Sequence, residues 1–281
     1  MTKEVPAMKL LIAADMEGVT GVVSWDHVDA RTAEYQRFRR LMTADVNAAV
    51  EGALAAGAGD ILVTDGHASS GNLLIEELHP QARLNTGTPS PFSMVQCAQD
   101  GLDAALFVGY HARVGTVHAI LDHTWSSARV ADVWLNGRPV GETGLNAAVC
   151  GTYGAPVLLV TGDQAVAAEA QEWIPGIEAA IVKHACGRYA AQCLPPGQTR
   201  PLIRDAAQRA VQGFLAGQGP VPLEVETPVT IRIQFVASHM GDMARLLPGA
   251  VRLDGRTIEF TAPDMPGAYL KFRSAVALAG A

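Results

Sequence analysis

The chain has 281 residues, enough for one large or two modest domains at roughly 150 residues each. Hydrophobic residues make up 49% and charged ones 17%, against about 25% charged in an average soluble domain, which excludes intrinsic disorder. Its 21 basic and 28 acidic residues leave a formal charge of −7, which repels both a phosphate backbone and an anionic lipid surface, so neither nucleic acid nor a membrane is an expected partner.

In chain order, residues 1–7 read as a polar N-terminal extension ahead of a first strand, Met8 to Ala14. A loop with Gly18 and Gly21 follows, then a helix from about Thr32 to Ala56, stopped by Gly57 and Gly59. Ile61 to Thr64 is the second strand, Arg83 to Asn85 a weaker third, and Ala104 to Val108 a fourth, entered from a helix beginning near Pro91. Val130 to Leu135 and Arg138 to Val140 form a hairpin, because Asn136-Gly137 suits the positive φ angles of a type I′ turn. Glu142 to Tyr153 reads as helix, Pro156 to Val160 as a buried strand and Gln164 to Trp173 as helix. After the break at Pro195-Pro196-Gly197, a helix from about Pro201 to Leu215 leads to the turn-rich Gly217 to Pro222, where a domain boundary is expected. Val229 to Val236 alternates as a strand, Leu253 to Arg256 is a hairpin turn, and a last helix starts at about Met265. The expected fold is α/β: a mostly parallel sheet flanked by helices over residues 8–217, with a smaller C-terminal α+β lobe over residues 218–281.

No run reaches the roughly 18 apolar residues of a spanning helix. Leu10-Leu11-Ile12 is too short for a signal-peptide core. Four cysteines, with no C-x-x-C pair, make neither a disulfide scaffold nor a thiolate metal site, and a reducing cytoplasm is the expected location.

The chemistry gathers at three strand ends: Asp15-Met16-Glu17-Gly18, Asp65-Gly66-His67 and Gly109-Tyr110-His111. Ligands bind along the edge where parallel strands end, so these side chains should converge. Crowded carboxylates repel unless a cation stands between them, and oxygen and imidazole donors without thiolates suit zinc, manganese or cobalt. Turn and capping residues account for the glycines of these motifs but not for the histidines. The sequence has no G-x-x-x-x-G-K-[ST], G-x-S-x-G or H-E-x-x-H, and Gly57-Ala58-Gly59 lies before a strand rather than after one, so phosphate-loop, serine-hydrolase and Rossmann readings lose ground. His27 and His79 are expected at the surface.

Taken with Pro91-Phe92-Ser93-Met94, Gly109-Tyr110-His111-Ala112 and Arg138-Pro139-Val140-Gly141-Glu142 leading into Gly144-Leu145-Asn146, the ordered motifs resemble the DppA-type D-aminopeptidase family of binuclear zinc peptidases. The resemblance implies two Zn2+ per subunit, with Mn2+ or Co2+ as substitutes. It also implies Asp15, Glu17, His67, His111 and Glu142 as ligands. Asp15 would bridge, Glu17 and His111 would complete one metal and His67 and Glu142 the other, with His123 as the catalytic histidine. Three ligand carboxylates, two divalent ions and a bridging hydroxide sum to zero charge, so such a cluster can be buried. Asp65 is an alternative orienter of His67 or a simple cap, Asn146 a substrate contact or a packing residue, and His118 a spare ligand or catalytic group.

The implied function is a metal-dependent aminopeptidase releasing N-terminal D-amino acids, of the D-Ala type, from short peptides or amides through the bridging hydroxide. The implied assembly is a homo-oligomeric ring, a decamer. Two competing readings are another binuclear-metal amide hydrolase acting on L-peptides or acyl amino acids, and a noncatalytic α/β binding protein.

Overall fold

The computed structural model describes residues 7–280, so the expected extension lies outside the described residues apart from Ala7. The elements are β1 (Met8–Ala14), α1 (Tyr35–Ala55), β2 (Ala58–Asp65), β3 (Ala82–Asn85), β4 (Ala104–Val108), β5 (Val130–Leu135), β6 (Arg138–Pro139), α2 (Glu142–Thr152) and β7 (Val157–Asp163). They continue with α3 (Gln164–Trp173), β8 (Glu178–Gly187), β9 (Ala190–Cys193), α4 (Pro196–Leu215), β10 (Val229–Phe235), α5 (Ser238–Ala244), β11 (Val251–Arg252), β12 (Thr257–Ala262) and α6 (Met265–Leu278). The larger sheet has the order β3-β2-β1-β4-β7-β8-β9 and is parallel except for β9. The smaller, antiparallel sheet has the order β11-β12-β10-β5-β6.

Strand β1 shows why the large sheet is covered on both faces. Its residues alternate between two apolar cores: Leu10, Ile12 and Ala14 pack with α1 and α4, whereas Leu11 and Ala13 face the core shared with α2, α3, α6 and the smaller sheet. A strand buried on both sides reads as a continuous apolar run, as Met8 to Ala14 does. In β10 only one face is fully buried, so Val229, Ile231, Ile233 and Phe235 alternate with half-buried polar residues. Each of these buried side chains contributes about 1.5–3 kcal/mol. On the wet face Arg232 pairs with Glu259, its register partner on β12, at 2.9 Å.

Three local expectations change. The helix expected near Pro91 is two short 3-10 turns, Ser93–Val95 and Ala98–Asp100, because Ser93 and Cys97 take left-handed backbone angles that a continuing helix excludes. The helix expected from Pro201 starts a turn earlier, at Pro196, where a proline fits the first turn and costs no intrahelical hydrogen bond. The Asn136-Gly137 hairpin forms, with φ of 47° and 81°, but its strands join the C-terminal strands, so the mid-chain hairpin completes the second sheet.

Candidate metal centre

Backbone hydrogen bonds knit the loops that follow β1, β2, β4 and β7 into one rim. Asp15 N donates to Val108 O at 2.8 Å, Gly66 N to Ala14 O at 2.9 Å, Gly18 N to Gly109 O at 2.8 Å and Tyr110 N to Thr161 O at 3.0 Å. The approach is close enough to require glycine at two places. A Cβ on Gly18 would stand 2.0 Å from Tyr110 O, and Gly109 has φ of 76° with its missing Cβ 2.2 Å from Asp15 O.

Two buried charged residues hold this rim from below. Lys183 Nζ, on β8, donates to the carbonyls of Glu17 (2.6 Å), Val19 (2.9 Å) and Val22 (2.7 Å). Burial pulls its pKa down to about 8, partly offset by Asp163 and other acids. Asp163, at the end of β7, caps α3 by accepting from Ala165 N and Val166 N at 3.0 Å, and its other oxygen takes Ile120 N–H at 2.7 Å. The segment carrying His123 is thereby tied to the large sheet.

Asp15, Glu17, His67, His111, His123 and Glu142 are each less than a tenth exposed and line one cavity of about 710 Å³. His67 Nδ1 lies 3.2 Å from Asp15 Oδ1 and 3.1 Å from Glu17 Oε2. His111 Nε2 lies 3.4 Å from Asp15 Oδ2 and 3.1 Å from Glu142 Oε1. His123 Nε2 is 3.9 Å from both Glu17 Oε1 and Glu142 Oε1. Asp15 therefore faces one imidazole with each oxygen, at the centre of the group.

In each imidazole the second ring nitrogen meets a backbone carbonyl, which can only accept a hydrogen bond. His67 Nε2 donates to Val28 O (2.9 Å), His111 Nδ1 to Ala112 O (3.0 Å) and His123 Nδ1 to Leu121 O (2.8 Å). That arrangement fixes the tautomers of the neutral rings and leaves three lone pairs aimed into the centre, as metal-binding histidines require.

The electrostatics point the same way. Burial resists charge on His67 and His111, but the neighbouring carboxylates outweigh it, chiefly Glu17 for His67 and Glu142 for His111, and hold both imidazoles well above their ordinary pKa. Burial also resists ionisation of Asp15 and Glu142, yet the histidines hold Asp15 well below its usual range and lower Glu142. The centre thus attracts positive charge strongly. His123 differs: burial, and then repulsion from His111, lower its pKa.

The donor set fits divalent cations. Ligand atoms about 2.0–2.2 Å from a tetrahedral zinc stand about 3.3 Å from one another, which matches the 3.1–3.4 Å approaches of His67 and His111 to the carboxylates. The ligand atoms of Asp15, Glu17 and His111 lie within 4.8 Å of one another, the group that the resemblance assigned to one metal; those of His111, His123 and Glu142 do so as well. The shortest approaches, however, set His67 beside Glu17 and His111 beside Glu142.

Other candidates lie apart. Asp65 accepts from Asn72 N, Leu73 N and Asn72 Nδ2 at 2.5–2.9 Å, so it shapes the turn after His67 and leaves that ring to Asp15 and Glu17. Asn146 is buried between the hydroxyls of Tyr110 (3.1 Å) and Tyr269 (2.9 Å), a packing role. His118 is exposed and faces Cys186 O at 2.9 Å. His27 stacks on Phe38 and His79 meets Gln81 N–H, both outside the cavity.

Periodicity left three contributors unmarked. Lys183 interrupts an otherwise apolar run, and that interruption was its only sequence signal. Trp25 and His123 meet edge to face, with ring centroids 5.4 Å apart, and Trp125 N donates to Glu142 Oε1 at 2.8 Å.

A family model described as D-aminopeptidase, peptidase M55, matches residues 8–274. The chain belongs to this D-aminopeptidase family. It is 38% identical over 263 residues to the D-aminopeptidase of Bacillus subtilis (strain 168), covering 93% of this chain and 94% of that protein. It also superposes, with a TM-score of 0.93 and 37% identity, on the structure described as the Zn-dependent D-aminopeptidase DppA from Bacillus subtilis, a self-compartmentalizing protease. That match covers 97% of this chain and 98% of the other. The family match spans both sheets, so the smaller one belongs to the shared fold.

Proposed function

We propose that this protein is a zinc-dependent aminopeptidase that releases N-terminal D-amino acids, of the D-Ala type, from short peptides or amides. The observation that carries the reading is the convergence of three carboxylates with three imidazoles, each imidazole pinned by a backbone carbonyl so that its free nitrogen faces the centre. Asp15, Glu17, His67, His111 and Glu142 are the proposed ligands, with Asp15 shared between two ions. Two divalent ions would lower the pKa of water toward about 7 and polarise the scissile carbonyl.

The chain's own groups supply the rest. The Nε2 of His123 carries the lone pair, because Nδ1–H is committed to Leu121 O. Its lowered pKa keeps the ring neutral near neutral pH, so Nε2 takes a proton from the attacking water and returns it to the leaving amine. Trp25 and Trp125 wall the cavity, and the backbone N–H of Trp125 holds the Glu142 carboxylate in place. The burial of all six polar side chains limits bulk water around the reacting groups.

A cytoplasmic location is part of the reading: all four cysteines are free, and no described helix is long and apolar enough to cross a membrane. So is a homo-oligomeric ring, a decamer, whose inner chamber admits only small peptides; the relative's description as self-compartmentalizing supports an assembly of this kind.

The test pairs elemental analysis with D- and L-alanine amides. About two zinc ions per chain and D-alanine release that stops on chelation and returns with zinc are expected. Cleavage of only L-aminoacyl or acyl substrates would replace the specificity, and a chain that binds no metal and gains no thermal stability from zinc would be a binding protein instead.

A further inference from the structure

Two guanidinium groups line the cavity, and they differ in what they face. Arg31 is bonded through Nε and Nη2 to Asp29, so its charge is already answered. Arg273, on α6, is half-buried and lies over the Trp125 ring, its guanidinium carbon 5.5 Å from the ring centroid. Its Nη1 donates to the backbone carbonyls of Ser90 and Pro91, and no ion pair among the described residues includes it.

We infer that Arg273 binds the C-terminal carboxylate of a short peptide, making the free-acid dipeptide or tripeptide the preferred substrate. The inference rests on the reading of the centre as an aminopeptidase site. A guanidinium has five N–H donors, and the two on Nη1 are spent on carbonyls. The edge formed by Nε and Nη2 remains, and that fork matches a carboxylate bidentately.

Position supports the pairing. Trp125 donates its backbone N–H to Glu142 Oε1 at 2.8 Å and carries Arg273 on its ring, so one residue spans from the centre to the guanidinium. Two or three residues of extended peptide, at about 3.5 Å each, cover such a gap. A substrate cleaved after its first residue and held by its end at Arg273 is therefore short. The cation–π contact with Trp125 and the two carbonyl bonds hold the fork in place before substrate arrives, which reduces the ordering cost of binding. The assignment also gives the C-terminal lobe a part in the site, since α6 supplies the cation.

The experiment compares D-Ala-D-Ala with its C-terminal amide on zinc-loaded wild type, Arg273→Gln and Arg273→Lys. Wild type is expected to favour the free acid by about tenfold in kcat/KM. Arg273→Gln should raise KM for the free acid about tenfold while costing the amide about twofold, and Arg273→Lys should recover part of the preference. Equal losses on both substrates, or a preference that survives Arg273→Gln, would overturn the inference. Calorimetry with an uncleavable reduced-amide analogue, free acid against carboxamide, makes the same comparison without turnover. If neither substrate is cleaved, the aminopeptidase reading fails, while the calorimetric difference still decides whether Arg273 holds a carboxylate.

Discussion

The rings of His111 and His123 stack face to face, with centroids 4.0 Å apart and planes inclined by 12°. Two imidazoles this close disfavour double protonation, and the asymmetry of their surroundings decides which stays neutral. His111 faces Asp15 and Glu142 at 3.1–3.4 Å, whereas His123 stands 3.9 Å from its nearest carboxylates.

On the proposed reading, that difference assigns His111 to a metal and His123 to the proton. His123→Ala should retain about two metal ions per chain while kcat falls by about 10²–10⁴, the usual worth of a positioned acid–base group. Asp15→Ala should lose both ions. Metal analysis of the two variants is the check, and equal retention would sink the bridging role of Asp15.

The pH dependence follows from the shifted groups, taken without metal. His67 and His111 lie well above 6.5, so their stabilisation is full below 6.5 and disappears as pH rises through the raised values. Asp15 and Glu142 lie below 3.8 and 4.5, so theirs is present above those values and is lost as pH falls. The chelated protein should be most stable at mildly acidic pH. Zinc needs both imidazoles neutral, so its apparent affinity should rise with pH, up to about hundredfold per unit while two protons are displaced. Thermal melts with and without zinc at pH 6 and pH 8 read this out: the zinc-induced gain in Tm should be the larger at pH 8.

Most of the architecture was legible because it is written in apolar periodicity. The doubly buried run of β1 and the alternation of β10 are local signals, and the strand-end rule carried Asp15, His67 and His111 to one edge. Glu142 was different. It starts α2 after a hairpin that belongs to the other sheet, so no strand-end argument reaches it, and only its place in the family motif pointed there. The partner of the 130–139 hairpin was hidden for the same reason, being nearly a hundred residues downstream. Lys183 was missed because its three acceptors are backbone carbonyls, which leave no trace in residue identity.

Lys183 should matter to the fold more than its single charge suggests. Lys183→Met removes the donor for three carbonyls in the loop that begins at Glu17. Leaving buried acceptors unpaired costs about 1–3 kcal/mol each, moderated by relaxation and entering water. A loss of about 3–5 kcal/mol in urea denaturation is expected, along with weaker zinc binding, because the loop positions the Glu17 carboxylate. A Lys183→Met protein with wild-type stability and metal content would refute this role.

Glu169 makes the opposite case, a buried charge whose removal should help. One oxygen accepts Arg113 N–H at 2.7 Å, while the other has no hydrogen-bond partner among the described residues and packs against Gly141. Burial, only partly offset by that bond and by His111, pushes its pKa up to about 7 from 4.5. A carboxyl raised in the folded state favours folding while protonated, so its contribution falls as pH rises from 4.5 and is exhausted above 7. Glu169→Gln keeps an acceptor for Arg113 and removes the ionisation, so it should stabilise the protein at pH 8 by about 1–3 kcal/mol and do little at pH 5. Urea melts at the two pH values measure the difference. Destabilisation at pH 8 would overturn this account, because it would mean that the ionised carboxylate has a favourable partner.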